Sequence, residues 1–236
     1  MDETMKLQRR QLVFGALAGA VVGSAVGATA QEQASTSTLF DIVGDDGKPL
    51  PNYRLPNELS ITDLPGIIWV GSSSPDVVLV EFFDYNCAYC RKASGDLDKI
   101  VASDKEFRLG LVNNAIIGLG SVLAAKVQQA VLKLYGPNRA YEFHKELLAH
   151  RGTNDGLSSL DIAKKMKLDA AAIETAADSD EVRDVLTRQV KLASSLGFAA
   201  TPSFMMKNVG ILGYPGPKSF QRMIASVRKC DKLVCA

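Results

Sequence analysis

Hydrophobic and polar positions change their spacing several times along the chain. Val77–Phe83 (VVLVEFF) is an almost unbroken run of β-branched and aromatic residues, interrupted only by Glu81. Such a run predicts a strand buried on both faces. Ile67–Val70, ending at Gly71, predicts a shorter strand, and Phe107–Val112 another. Between them Cys90, Ala93, Leu97, Ile100 and Val101 recur at three- and four-residue intervals, which predicts a helix over 88–102. The unit 77–112 is then strand, helix, strand, the size of a parallel crossover. From 120 to 196 the helical period persists. Gly136-Pro137 should end one helix, with Asn138 capping the next as far as Arg151-Gly152. Ser159, Asp169 and Ser179 are the expected caps of three more, and Gly197 the expected stop of the last. The β signal returns at Ser203–Lys207 and Val209–Leu212. Asn208 between them suits a hairpin turn, and Pro217 suits the first turn of a closing helix, 218–229.

The predicted class is α/β, with helices on both faces of a sheet. The segments divide as 31–66, an arm rich in Gly and Pro with room for one short strand; 67–119, the first half of the sheet; 120–197, an all-helical insertion; and 198–236, the second half. The first thirty residues read as an address. Lys6, Arg9 and Arg10 precede an uncharged stretch from Leu12 to Ala28, and Ala28-Thr29-Ala30 fits cleavage after Ala30. An uncleaved anchor is the alternative, although 17 residues rich in Gly and Ala are short for a membrane span. Arg9-Arg10 resembles a twin-arginine signal, and Sec-type or Tat-type export stays open. Either route leads to the periplasm, where disulfides persist.

The composition is that of an ordinary globular domain, with 47% apolar and 22% charged residues. A net charge of +1 gives no electrostatic case for nucleic acid. Four cysteines are too few for a disulfide-built miniprotein, but they fall in two pairs, Cys87/Cys90 and Cys230/Cys235. Cys87-Ala88-Tyr89-Cys90 stands where the buried strand meets the helix. At a helix N-terminus, free N–H groups and the dipole favour a thiolate at Cys87, and Cys90 lies one turn further in. A structural bridge or half of a zinc site are the competing readings. His144 and His150 lack the spacing that would complete a zinc site, and neither is needed for thiol chemistry. Cys230 and Cys235 would not face each other on a continuous helix, so the helix should end near Cys230 and let the chain turn back. A structural disulfide is the default there, and an electron-relaying pair the sharper alternative.

Val78–Cys90, with Phe83-Asp84-Tyr85-Asn86-Cys87-Ala88-Tyr89-Cys90 in its second half, resembles the active-site strand and helix start of the DsbA-like thiol:disulfide oxidoreductases. The order of elements resembles their thioredoxin-like fold with a helical insertion, over about 67–229. The resemblance implies a buried proton-handling acid at Glu81, a cis-proline loop at Thr201-Pro202 for substrate, and Tyr89 at the rim. It also implies substrate proteins with free thiols, a membrane redox partner that resets the pair, and no cofactor. Ala88 departs from the Pro or Gly of many relatives, which touches redox potential. The oxidant direction leads, and isomerase or reductase use of the same site stays open. A Cu(I) or Zn(II) module drawing on Met205 or Met206, or an inactive scaffold, are readings of another class. The arm shows no heptad pattern, so a monomer is the default.

Overall fold

The computed structural model describes residues 39–56 and 61–235. The signal segment, its cleavage point and the polar leader at 31–38 lie outside them. In chain order the elements are β1 (Asn52–Arg54), β2 (Ile68–Gly71), β3 (Val77–Phe83), α1 (Ala88–Ser103), β4 (Phe107–Asn113) and α2 (Leu119–Ala149). They continue with α3 (Gly156–Lys165), α4 (Ala170–Ala177), α5 (Asp180–Ser195), β5 (Ser203–Met206), β6 (Val209–Leu212) and α6 (Pro217–Cys230). The sheet runs β1-β6-β5-β3-β4-β2. β3 lies beside β4 in parallel and beside β5 antiparallel, so it is central and covered on both faces.

The alternation of β3 sorts two cores. Leu79 and Phe83 share one cluster with Leu97 of α1, Phe143 of α2 and Phe220 of α6. Val80 and Phe82 share the other with Val112, Met205, Ala193 of α5, and Leu196 and Phe198 beyond it. Full burial of each large side chain contributes about 1.5–3 kcal/mol. Glu81 falls between Leu79 and Phe83 and so takes the first face, beneath α1.

Several expected boundaries move. The second half of α2 starts at Pro137, behind a break at Gly136 with φ 80°, rather than at a cap from Asn138. A proline without an N–H fits a first helical turn better than any later position. α3 starts at Gly156, not after Ser159. Its cap is Asp155, in a reciprocal capping box with Ser158, and Ser159 sits inside the helix with its hydroxyl on the Asp155 carbonyl at 2.5 Å. In the β5–β6 hairpin the left-handed residue is Lys207, φ 55°, not Asn208.

The arm is part of the sheet. β1 pairs with β6, and Ile42 and Leu55 are buried in the two cores. Asp45 does for α6 what no nearby side chain does. Gly216 at the N-cap has no side chain, and the Asp45 carboxylate accepts from the N–H groups of Lys218 at 2.9 Å and Ser219 at 2.8 Å.

Candidate active site

The turn after β3 brings Cys87 to the N-cap of α1. Its backbone is extended, with φ −82° and ψ 121°, and its Sγ accepts from the Cys90 N–H at 3.3 Å. Across the sheet, Phe82 pairs with Ser203, so the residues before Ser203 reach the level of the turn. There the Thr201–Pro202 peptide is cis, and the Cys87 thiol donates to the Thr201 carbonyl at 3.1 Å. That loop is held by Asn114 Nδ2 on the Phe198 carbonyl (3.0 Å), by Ser203 Oγ on the Ala200 carbonyl (2.7 Å) and by Gly213 N–H on the Pro202 carbonyl (3.0 Å).

Both sulfurs of the pair are free thiols, and they differ sharply in proton affinity. Hydrogen bonding from the Cys90 side chain brings the Cys87 thiol down to about 6. The Thr201 side chain and the N–H groups of Cys90 and Tyr89 add to this and outweigh the effect of burial. Cys90 is fully buried, and burial holds its thiol far above the ordinary range, with its bond to Cys87 and the charge of Glu81 adding to the effect. Glu81 is also fully buried, and neither carboxylate oxygen has a hydrogen-bond partner. Desolvation, then the charge of Cys87, pushes its carboxyl up to about 8. A carboxyl with that affinity holds a proton at neutral pH, and its charge is felt at both sulfurs.

The remaining sequence candidates fall in different places. Tyr89 is 60% exposed at the rim. Next to Cys90 on α1, the Arg91 guanidinium donates to the carbonyls of Leu148 (3.2 Å), His150 and Gly152 (2.7 Å), at the C-terminal end of α2. His144 is buried against Phe83 and Tyr85, with Nδ1 3.2 Å from the Tyr85 hydroxyl, and burial takes its imidazole down to about 3. Met205 and Met206 are opposite Val80 and Leu79, below Glu81 in the sheet and packed in the two cores. Among the described residues no group of three or more His, Cys, Asp or Glu is placed to hold a metal ion.

Cys230 and Cys235 are joined, with a Cα–Cα distance of 6.0 Å, and Asp231 in the left-handed region turns the chain back at the end of α6. One turn earlier, Arg228 binds Asp76, the residue before β3, and Asp104 after α1. The disulfide therefore sits at the end of β3 remote from Cys87, about 20 Å away along seven strand residues.

Residues that sequence reasoning did not single out complete the site. Asp84, buried, accepts from Asn86 N–H (2.7 Å), Ser121 Oγ (2.6 Å) and the N–H groups of Ile116 (2.9 Å) and Ile117 (3.0 Å). Asn86 and Asn154 join the turn to the insertion. Two acidic or amide residues beside a C-x-x-C are a signal for Asp84 and Asn86, because such side chains organise turns. Nothing local marks Asn154.

Two sulfurs of such unequal proton affinity stand one helical turn apart where a central strand meets a helix, the arrangement of a thioredoxin-like oxidoreductase. The comparisons agree. A family model described as thioredoxin matches residues 63–226. A thioredoxin-like oxidoreductase from Silicibacter pomeroyi DSS-3 is 30% identical, over 73% of this chain and 99% of that one, with a TM-score of 0.67. The thiol-disulfide exchange protein alpha-DsbA2 from Wolbachia pipientis is 24% identical, over 71% and 89%, with a TM-score of 0.65. BdbD from Bacillus subtilis is 23% identical, over 75% and 98%, also at 0.65. These last two share the fold. No curated protein matches the chain in sequence. The chain belongs to the thioredoxin family.

Proposed function

We propose that this protein oxidises thiols of substrate proteins in the periplasm through Cys87 and Cys90. The observation that carries the reading is the contrast between the two sulfurs: a thiol at about 6 on the helix N-cap and a buried one held far above its usual range. In the oxidised pair, a substrate thiolate attacks Cys87 Sγ. The Cys87–Cys90 bond breaks, Cys90 leaves with the electron pair, and Glu81 supplies its proton. A second substrate thiolate then attacks the substrate sulfur of the mixed disulfide, and Cys87 departs as the thiolate. Two electrons have moved from substrate to protein, and the substrate holds a disulfide. The cis Thr201–Pro202 loop supports this order of events, because it lies against Cys87 and offers backbone to an extended substrate segment. Resetting needs a membrane redox partner that removes the two electrons. The basic and apolar start of the sequence supports export.

Stabilising the reduced pair makes the disulfide a stronger oxidant. A Cys87 midpoint near 6 falls between about 3.5 for DsbA and about 7 for thioredoxin. Equilibration with glutathione should therefore give a potential less negative than the roughly −270 mV of thioredoxin, toward the roughly −120 mV of DsbA. A value at or below that of thioredoxin would sink the oxidant direction.

A further inference from the structure

The turn that presents Cys87 is held mainly from the insertion, and the bonds converge on Asn154, a fully buried residue in the loop between α2 and α3. Its backbone forms a reciprocal pair with the side chain next to the reactive cysteine. Asn154 N–H donates to Asn86 Oδ1 at 2.7 Å, and Asn86 Nδ2 donates to the Asn154 carbonyl at 2.9 Å. Its side-chain amide donates to the carbonyls of Tyr85 (2.8 Å) and Leu147 (3.0 Å), and its Oδ1 accepts from His150 Nδ1 at 3.0 Å. Every polar group of the residue is thus used, two of its partners being the residues just before Cys87. The approach is close enough to constrain its neighbour: a Cβ on Gly120 would stand 2.9 Å from the Asn154 carbonyl oxygen.

We propose that Asn154 is a positioning residue for the exchange reaction, holding the Tyr85–Asn86 turn so that Cys87 Sγ meets the first-turn N–H groups of α1. The proposal rests on the exchange reading of Cys87. Hydrogen bonds from N–H to sulfur weaken steeply when the donor angle closes, so a small rotation of the turn removes the donors that favour the thiolate. Ordering this loop is then part of making the thiol reactive, and the insertion has a chemical role beyond covering the sheet. The other titratable or charged groups around the pair are unchanged in the variants below: Cys90, Arg91 and Lys92 on α1, Glu81 on β3, His144 on α2, and His150 and Arg151 after α2; only His150 loses a partner, and only in Asn154→Ala.

Three variants approach the contact from different sides. Asn154→Ala removes the bonds to Tyr85, Leu147 and His150. Asn86→Ala removes the reciprocal pair, with the Asn86 bond to Ser121 Oγ (3.0 Å), but leaves the rest of Asn154. Gly120→Ala pushes on the Asn154 carbonyl with no polar atom lost, at a helical position where alanine is intrinsically preferred. For each, the Cys87 titration should be followed by thiolate absorbance and by the pH dependence of alkylation, beside the potential and the melting temperature. The expected result is a midpoint raised by about one unit, hence about tenfold less thiolate at pH 5, and a more negative potential, in all three. Should Asn154→Ala not fold, the other two carry the test. Unmoved midpoints and potentials beside an ionised wild-type Cys87, even with lowered melting temperatures, would overturn the positioning role alone. A wild-type Cys87 with an ordinary thiol midpoint would overturn the exchange reading and this role with it.

Discussion

At the scale of single residues, the two sulfurs of the site have opposed proton affinities. Cys87 titrates in the folded protein near 6, below an ordinary thiol. Its contribution to the stability of the reduced state is therefore complete above the unfolded thiol value of about 8.5 and is lost as pH falls through about 6. Iodoacetamide at pH 6.5 should label Cys87 in the reduced protein and leave Cys90 unmodified, read by peptide mass. Glu81 has the opposite sign. Its folded value near 8 lies above the unfolded carboxyl, so the native state loses stability as pH rises from about 4.5 until the group ionises near 8. Glu81→Gln should remove that loss. Urea unfolding at pH 7 should show the variant more stable than wild type, on the order of 3 kcal/mol, with the difference shrinking toward pH 4. The same variant should slow exchange about tenfold or more, because Cys90 then leaves without a proton donor. Equal stability at pH 7 would mean that Glu81 finds a compensating partner. Glu81 was legible in the chain because a charge inside VVLVEFF has few bland explanations. Asn154 was not, since an asparagine in a loop looks like any other until the path of the backbone sets it under the turn.

At the scale of elements, local rules placed the strands and most helices, and long-range contacts moved their ends. β3, α1 and the β5–β6 hairpin follow from period and β-branching, which act within a few residues. The start of α3 was displaced because Asp155 and Ser158 form a capping box that a single serine at 159 does not rival. The start of α6 could not be read locally at all. Its cap comes from Asp45, 173 residues away in sequence from Lys218. Asp45→Ala should lower the denaturation midpoint by an amount equivalent to about 1 kcal/mol, with exchange activity retained, since the contact is made by the arm and not by the catalytic turn. The disulfide at the end of α6 closes a short loop that keeps Leu233 buried. Replacing both Cys230 and Cys235 by alanine should cost about 2 kcal/mol of stability in the chain-entropy account and leave the Cys87–Cys90 potential unchanged. A shifted potential would tie the two pairs together after all.

At the scale of the whole molecule, the two pairs occupy opposite ends of the sheet and differ in what surrounds them. Cys87 stands beside the cis Thr201–Pro202 loop, and Cys230–Cys235 staples the end of α6. Graded reduction with glutathione should open 87–90 well before 230–235, with mass mapping to follow each, because a stabilised thiolate at Cys87 favours the reduced form of that pair only. The sequence alone determined the strand, the helix that starts at Cys87 and the amphipathic block of the insertion, because burial periodicity and helix-end chemistry are properties of neighbours along the chain. Tertiary structure alone decided that the arm closes the sheet edge, that Asp45 caps α6, that Arg91 ties α1 to the end of α2, and that Asn154 lies under the reactive turn. These are pairings between polar groups from about 60 to more than 170 residues apart. No local pattern encodes such pairings, since a buried donor or acceptor takes whichever partner the folded backbone brings within hydrogen-bond distance.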